Sequence, residues 1–190
     1  LKLSIGKIHQ TLHEAAVVAP AEEELVRAVL ASDLLHADET SWPEHGHLLW
    51  LWVFRSLTVT LYYVAGRGKE LVENVLDGFA GWLMSDGWGA YRDYPRRLRC
   101  WAHLLRKARG LAQSCHREAH AFGQLVLDTL EALMAAVYAA REGPPPVDLP
   151  TQHAPLLAAL RAACEGRQGS THPKTHALAV ELLNDWEAIF

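Results

Sequence analysis

The chain has 190 residues, half of them apolar and 21% charged, with 22 acidic against 18 basic side chains and a formal net charge of −4. That is an ordinary soluble composition, and its length allows one substantial core or two small ones. No run of about 18 uncharged apolar residues is present, which argues against a membrane-spanning helix. Three widely spaced cysteines, Cys100, Cys115 and Cys164, make no disulfide framework and point to a reducing cytoplasm.

The opening residues LKLSIGKIHQ lack the apolar centre of a signal peptide. The chain begins at Leu1 rather than Met and ends within an apolar helical pattern, so a piece of a longer protein is expected. Residues 7–31 read as helix in two pieces broken near Pro20, the second with acids in its first turn and Leu25, Val26, Val29 and Leu30 at helical spacing. Residues 34–39 then read as a short strand ending on Asp38 and Glu39, with Pro43 and Gly46 marking a turn.

HLLWLWVFRS (47–56) and TVTLYYVAG (58–66) are rich in aromatic and β-branched residues and predict two more strands, giving a three-stranded antiparallel meander. The first is apolar on both faces, as in a sheet covered on both sides. A helix follows over 68–79, then a strand within 81–91 that stops at Asp86, and a further short strand over 97–103. A strand, helix, strand order implies a parallel crossover. Beyond His103 the pattern is helical, with a long amphipathic helix at 118–141, a Pro-rich break at 143–150, and helices near 153–164 and 174–190. No internal repeat is evident. The predicted division is a helical lead-in (1–32), an α/β core with a mixed sheet (33–103) and an all-helical segment (104–190).

Asp86 ends an apolar strand as Asp38 does, 48 residues later. If their strands pair in parallel, they lie about 4.8 Å apart and both carboxylates face one pocket. Such a pair repels unless a cation sits between, and Mg²⁺ or Mn²⁺ suits it, because hard cations prefer carboxylate oxygen and keep waters for phosphate ligands. Between Arg92 and Arg109 lie seven of the eighteen basic residues, against the single acid Asp93. That run reads either as a solvated face or as a hold on a polyanion. Together these features point to metal-dependent phosphodiester chemistry.

In order and spacing, HADET, the Trp-rich HLLWLWVFRS, GRGKELVENVLDGFAGWLMSDGWGAY and RCWAHLLRKARGL resemble the bacterial insertion-sequence transposases of the IS sixty-six type. The resemblance implies a DDE enzyme with a ribonuclease H-like core that cuts and joins DNA with divalent metal. It makes Asp38 the first catalytic acid and metal ligand and Asp86 the second, and it matches Cys100 and His103 to a Cys-x-x-His signature beside the active site. Glu39 then reads as a solvated or supporting neighbour. The helical segment becomes an insertion in the core. Duplex DNA, both transposon ends and target, is the implied partner, with a homo-oligomer also allowed for. Arg67, Arg96, Arg97, Arg99, Arg106 and Lys107 are the candidate DNA contacts. The family's third acid lies in an Asn-Asn-x-x-Glu-Arg stretch that does not occur here, and Glu181 and Glu187 lack its neighbours. Two alternatives stand beside this reading. One is a non-catalytic DNA-binding or oligomerisation module; the other is a zinc site built from Cys100, His103, His45 and His47.

Overall fold

The computed structural model describes residues 4–17, 19–143 and 148–190. Helices α1 (Ile5–Ala16) and α2 (Ala19–Leu30) come first, with Pro20 in the first turn of α2, where a missing backbone N–H is tolerated. Then follow β1 (Leu34–Glu44), β2 (His47–Arg55), β3 (Thr60–Ala65), α3 (Lys69–Val75), β4 (Trp82–Ser85), a 3₁₀ turn at Gly89–Tyr91, and β5 (Arg97–Arg99). The strands form one five-stranded mixed sheet in the order β3-β2-β1-β4-β5. β1 pairs antiparallel with β2 and parallel with β4, and β2 pairs antiparallel with β3. The α/β class and the meander-plus-crossover arrangement thus match the expectation.

β1 runs to Glu44, well past the expected end at Glu39, because Thr40, Ser41 and Trp42 pair with Leu51, Trp50 and Leu49. The chain reverses at His45 and Gly46, both at positive φ (49° and 81°), a backbone that glycine adopts freely and that suits a two-residue hairpin. Strand alternation sends Leu35, Ala37, Trp52, Phe54 and Leu83 to one face, where they pack with Val29 of α2 and with Val72 and Leu76 on and after α3. The opposite face is not covered as expected. Leu51 and Val53 are half-buried there, while Leu34, Tyr62, Val64 and Trp82 remain exposed.

The chain divides into two compact units, Leu1–Leu98 and Arg99–Phe190. The second is all-helical: α4 (Trp101–Ala112), α5 (Arg117–Glu142), α6 (Leu149–Glu165), α7 (Pro173–Asn184) and the short α8 (Trp186–Ile189). The strand expected over 97–103 ends at Arg99, since α4 begins at Trp101 and takes His103 into its first turn. Leu104, Leu111, Phe122, Val126, Leu130, Leu160 and Leu182 form the unit's core. Gly123 brings α5 close to α4: a Cβ there would lie 2.4 Å from the Ala112 nitrogen and 2.5 Å from the Leu111 Cβ. By length and composition α5 is apolar enough to cross a membrane. Its apolar stripe is the packed core of this unit, and Asp128 and Glu131 stand exposed on its other side.

The helical unit contains a repeat that the sequence reading missed. Ser114, His116 and His120 occupy the start of α5 as Ser170, His172 and His176 occupy that of α7. In each copy the backbone N–H of the first histidine donates to the serine Oγ at 3.2 Å. Its Nδ1 accepts from the backbone N–H three residues on, 3.4 Å in one copy and 3.3 Å in the other. The second histidine's Nδ1 lies 2.5 Å from a carbonyl eight residues back, that of Ala112 or Gln168. The two capping imidazoles stack on one another with centroids 4.9 Å apart. The repeated signal is only Ser-x-His-x-x-x-His, too short to stand out without the hydrogen bonds.

Candidate active site

The parallel pairing of β1 with β4 makes neighbours of the strand that carries Asp38 and the strand that leads into Asp86. Leu34, Leu35 and His36 pair with Trp82, Leu83 and Met84; Asp38 lies two residues further along β1, and Asp86 directly follows the last residue of β4. Along β1, strand alternation sends Asp38 to the face of His36, opposite that of Glu39. Asp38 is exposed and its Oδ1 accepts from the Glu39 backbone N–H at 2.9 Å. Asp86 lies just beyond β4, half-buried, and its Oδ1 accepts from the Trp88 backbone N–H at 2.8 Å.

Glu39 faces the other way. Opposite Trp52 on the core side of the sheet, its side chain is 2% exposed. One carboxylate oxygen accepts from the Arg67 guanidinium at 2.9 Å and the other from the Tyr91 hydroxyl at 2.9 Å. It is therefore not a solvated neighbour of Asp38; a carboxylate this buried needs the cation and the donor it has. Arg67 in turn lies over the Trp50 ring at 4.1 Å and the Trp88 ring at 4.9 Å. Tyr91 is fully buried. Burial first, then the Glu39 carboxylate, and in smaller measure Asp86 and Asp38, push its hydroxyl well above the ordinary tyrosine range, so it remains a donor. All three acids thus bear on one hydroxyl. Neither Arg67 nor Tyr91 has a local sequence signal for this network.

The basic run is corrected at one position. Arg99 is buried, its guanidinium paired with Asp185 and, at 2.5 Å, with Glu181, so it cannot reach a DNA phosphate. Lys107 also pairs with Glu181, at 2.7 Å, with its side chain half-exposed. Glu181 is thereby committed to cations of its own unit. Arg96 is exposed and donates to the Ala80 carbonyl, Arg97 is half-buried, Arg106 is exposed, and Arg67 is partly exposed but ion-paired. Cys100 is a free thiol preceding α4 and His103 is half-buried within it. Among the described residues no group of three or more His, Cys, Asp or Glu is arranged to hold a metal ion, which leaves the four-residue zinc set without support.

A mixed five-stranded sheet, antiparallel through β3, β2 and β1 and parallel between β1 and β4, is consistent with the ribonuclease H-like class. A family model described as Transposase IS66 family matches residues 2–190, and the chain belongs to that family. No curated protein and no solved structure matches the chain.

Proposed function

We propose that this chain carries the catalytic carboxylates of a DDE transposase, with Asp38 and Asp86 as ligands of a divalent cation at the DNA phosphodiester to be cut and joined. The observation that supports the reading is the parallel pairing of β1 with β4, which makes the strand carrying Asp38 the neighbour of the strand leading into Asp86. Two carboxylates with room for water fit Mg²⁺ or Mn²⁺, which accept oxygen ligands and retain part of their hydration. When bound, such an ion polarises the phosphoryl oxygens and lowers the pKa of a bound water. Asp38 and Asp86 would orient it; Arg67, Arg96, Arg97, Arg106 and Lys107 are proposed to neutralise DNA backbone phosphates, contacts that position rather than read sequence. On this reading residues 1–32 lead into the core, the helices from residue 104 are its insertion, and the protein acts in the cytoplasm as part of a homo-oligomer.

The Asn-Asn-x-x-Glu-Arg stretch implied by the resemblance is not among these 190 residues. We therefore expect these residues alone not to nick transposon-end DNA, and a longer chain bearing that stretch to do so with Mg²⁺ or Mn²⁺. In that longer chain, Asp38→Asn or Asp86→Asn should lower nicking by about 100-fold or more, the usual cost of removing one preorganised electrostatic element. Nicking at wild-type rate by both variants would overturn the assignment. A non-catalytic DNA-binding module is the second reading, favoured by the lack of a three-ligand cluster among the described residues. It predicts DNA binding without metal dependence in either chain.

A further inference from the structure

We propose that Glu39 is a positioning residue that ties the loop carrying Asp86 to the strand carrying Asp38, through Tyr91 and Trp88. The inference rests on the reading of Asp38 and Asp86 as metal ligands but concerns a different contact. Residues 86–91 have left the β4 ladder, so sheet hydrogen bonds do not fix Asp86. Side-chain anchors take their place. Trp88, whose N–H holds the Asp86 carboxylate, packs on Trp52 at 5.4 Å, on Tyr91 at 5.8 Å and over Arg67. Tyr91 closes the loop in a fully buried site, and its hydroxyl donates to Glu39, one residue from Asp38.

Strand alternation gives this arrangement its logic. Adjacent residues of a strand point to opposite faces, so a single dipeptide can send Asp38 outward and anchor its partner loop from beneath with Glu39. Glu39 never reaches the open face. It acts through Tyr91 on the backbone amide that holds Asp86. Arg67 balances the buried charge and clamps Trp88 from the side, so removing the carboxylate loosens both anchors together. Outer residues of this kind orient carboxylate ligands by hydrogen bonding, and losing one costs about 10–100-fold in metal affinity.

The test uses the 190-residue chain and the variants Glu39→Gln, Glu39→Ala and Tyr91→Phe. Amide hydrogen exchange at Trp88 is measured without metal, Mn²⁺ binding is followed by electron paramagnetic resonance, and melting is followed by circular dichroism. Glu39→Ala and Tyr91→Phe should exchange the Trp88 amide about ten-fold faster, as expected for loss of one supporting hydrogen bond, and should bind Mn²⁺ about ten-fold more weakly. Glu39→Gln keeps an acceptor for Tyr91 but gives up the charge that pairs with Arg67, so it should fall between wild type and Glu39→Ala in both. Tyr91→Phe preserves the ring, so it remains informative if Glu39→Ala fails to fold. Unchanged Trp88 exchange in folded Tyr91→Phe would overturn the proposal. If Trp88 responds as expected but wild type binds no Mn²⁺, the tether stands and the metal reading falls. If wild type binds Mn²⁺ and a folded Tyr91→Phe binds it equally, the tether does not position Asp86.

Discussion

Asp38 and Glu39, consecutive in the chain, stand on opposite sides of the sheet: Asp38 opposite Val53 on the open face, Glu39 opposite Trp52 in the core. Two neighbouring acids thereby acquire unlike roles. Asp38 is solvent-exposed. The Glu39 side chain is buried, with Arg67 and Tyr91 donating to its two carboxylate oxygens.

Arg99 is expected to be a structural staple of the helical unit. Removing it takes the guanidinium from the buried Asp185, while Glu181 keeps Lys107, and breaking a buried pair from one side costs about 3–5 kcal/mol. Arg99→Ala should lower the urea midpoint strongly, whereas the exposed Arg106→Ala should shift stability by no more than about 0.5 kcal/mol while weakening DNA binding at low salt. Wild-type stability in Arg99→Ala would contradict the burial of this pair.

The three thiols should differ in reactivity. The Cys164 thiol is buried, and burial pushes its pKa up to about 12, with Arg167 opposing in smaller measure. Only thiolate attacks a disulfide reagent, so Cys164 stays unreactive through neutral and mildly alkaline pH and reacts once the chain unfolds. Exposed Cys115 should react first. Colorimetric titration with an aromatic disulfide, with and without denaturant, tests the order; rapid reaction of Cys164 in Cys115→Ser under native conditions would contradict it.

Gly123 should resist substitution by alanine although it sits within a helix. Alanine is favoured over glycine by about 1 kcal/mol in an exposed helix interior. Here the added methyl meets backbone atoms of α4 that cannot swing aside, and overpacking of that kind costs about 1–3 kcal/mol. Gly123→Ala should therefore melt lower than wild type. The exposed Gly110, with open space at its Cβ position, is the control and should not.

The two histidine caps should respond alike. His116→Ala and His172→Ala each remove an acceptor for a helix N-terminal amide, at about 1 kcal/mol each, and asparagine in either place should recover most of it. Urea denaturation of the four variants gives the comparison. A large loss at one cap and none at the other would show that the repeat in hydrogen bonding is not a repeat in energy.

Much of the fold was legible in the sequence because its signals are periodic. Aromatic and β-branched runs announced β2 and β3, and the apolar runs ahead of Asp38 and Asp86 announced β1 and β4, whose parallel pairing could be anticipated from the strand, helix, strand order. The end of β1 was not legible, because Pro43 reads as a turn while the reversal occurs at His45 and Gly46. Nor was the burial of Arg99. A guanidinium in a basic run looks solvated until the chain brings Asp185, 86 residues away, against it. The role of Glu39 was hidden for the same reason, since Arg67 and Tyr91 are 28 and 52 residues distant. Local patterns report faces and ends; partners across the fold decide which charges are buried.

The most direct test of the central claim is Mn²⁺ calorimetry on the 190-residue chain and on Asp38→Ala, Asp86→Ala and the double variant. Two carboxylates offset little of the ion's dehydration, so wild type should bind Mn²⁺ at a Kd on the order of 1 mM, and each single substitution should abolish the signal, because both ligands serve one ion. Equal Mn²⁺ binding by wild type and the double variant would contradict the account.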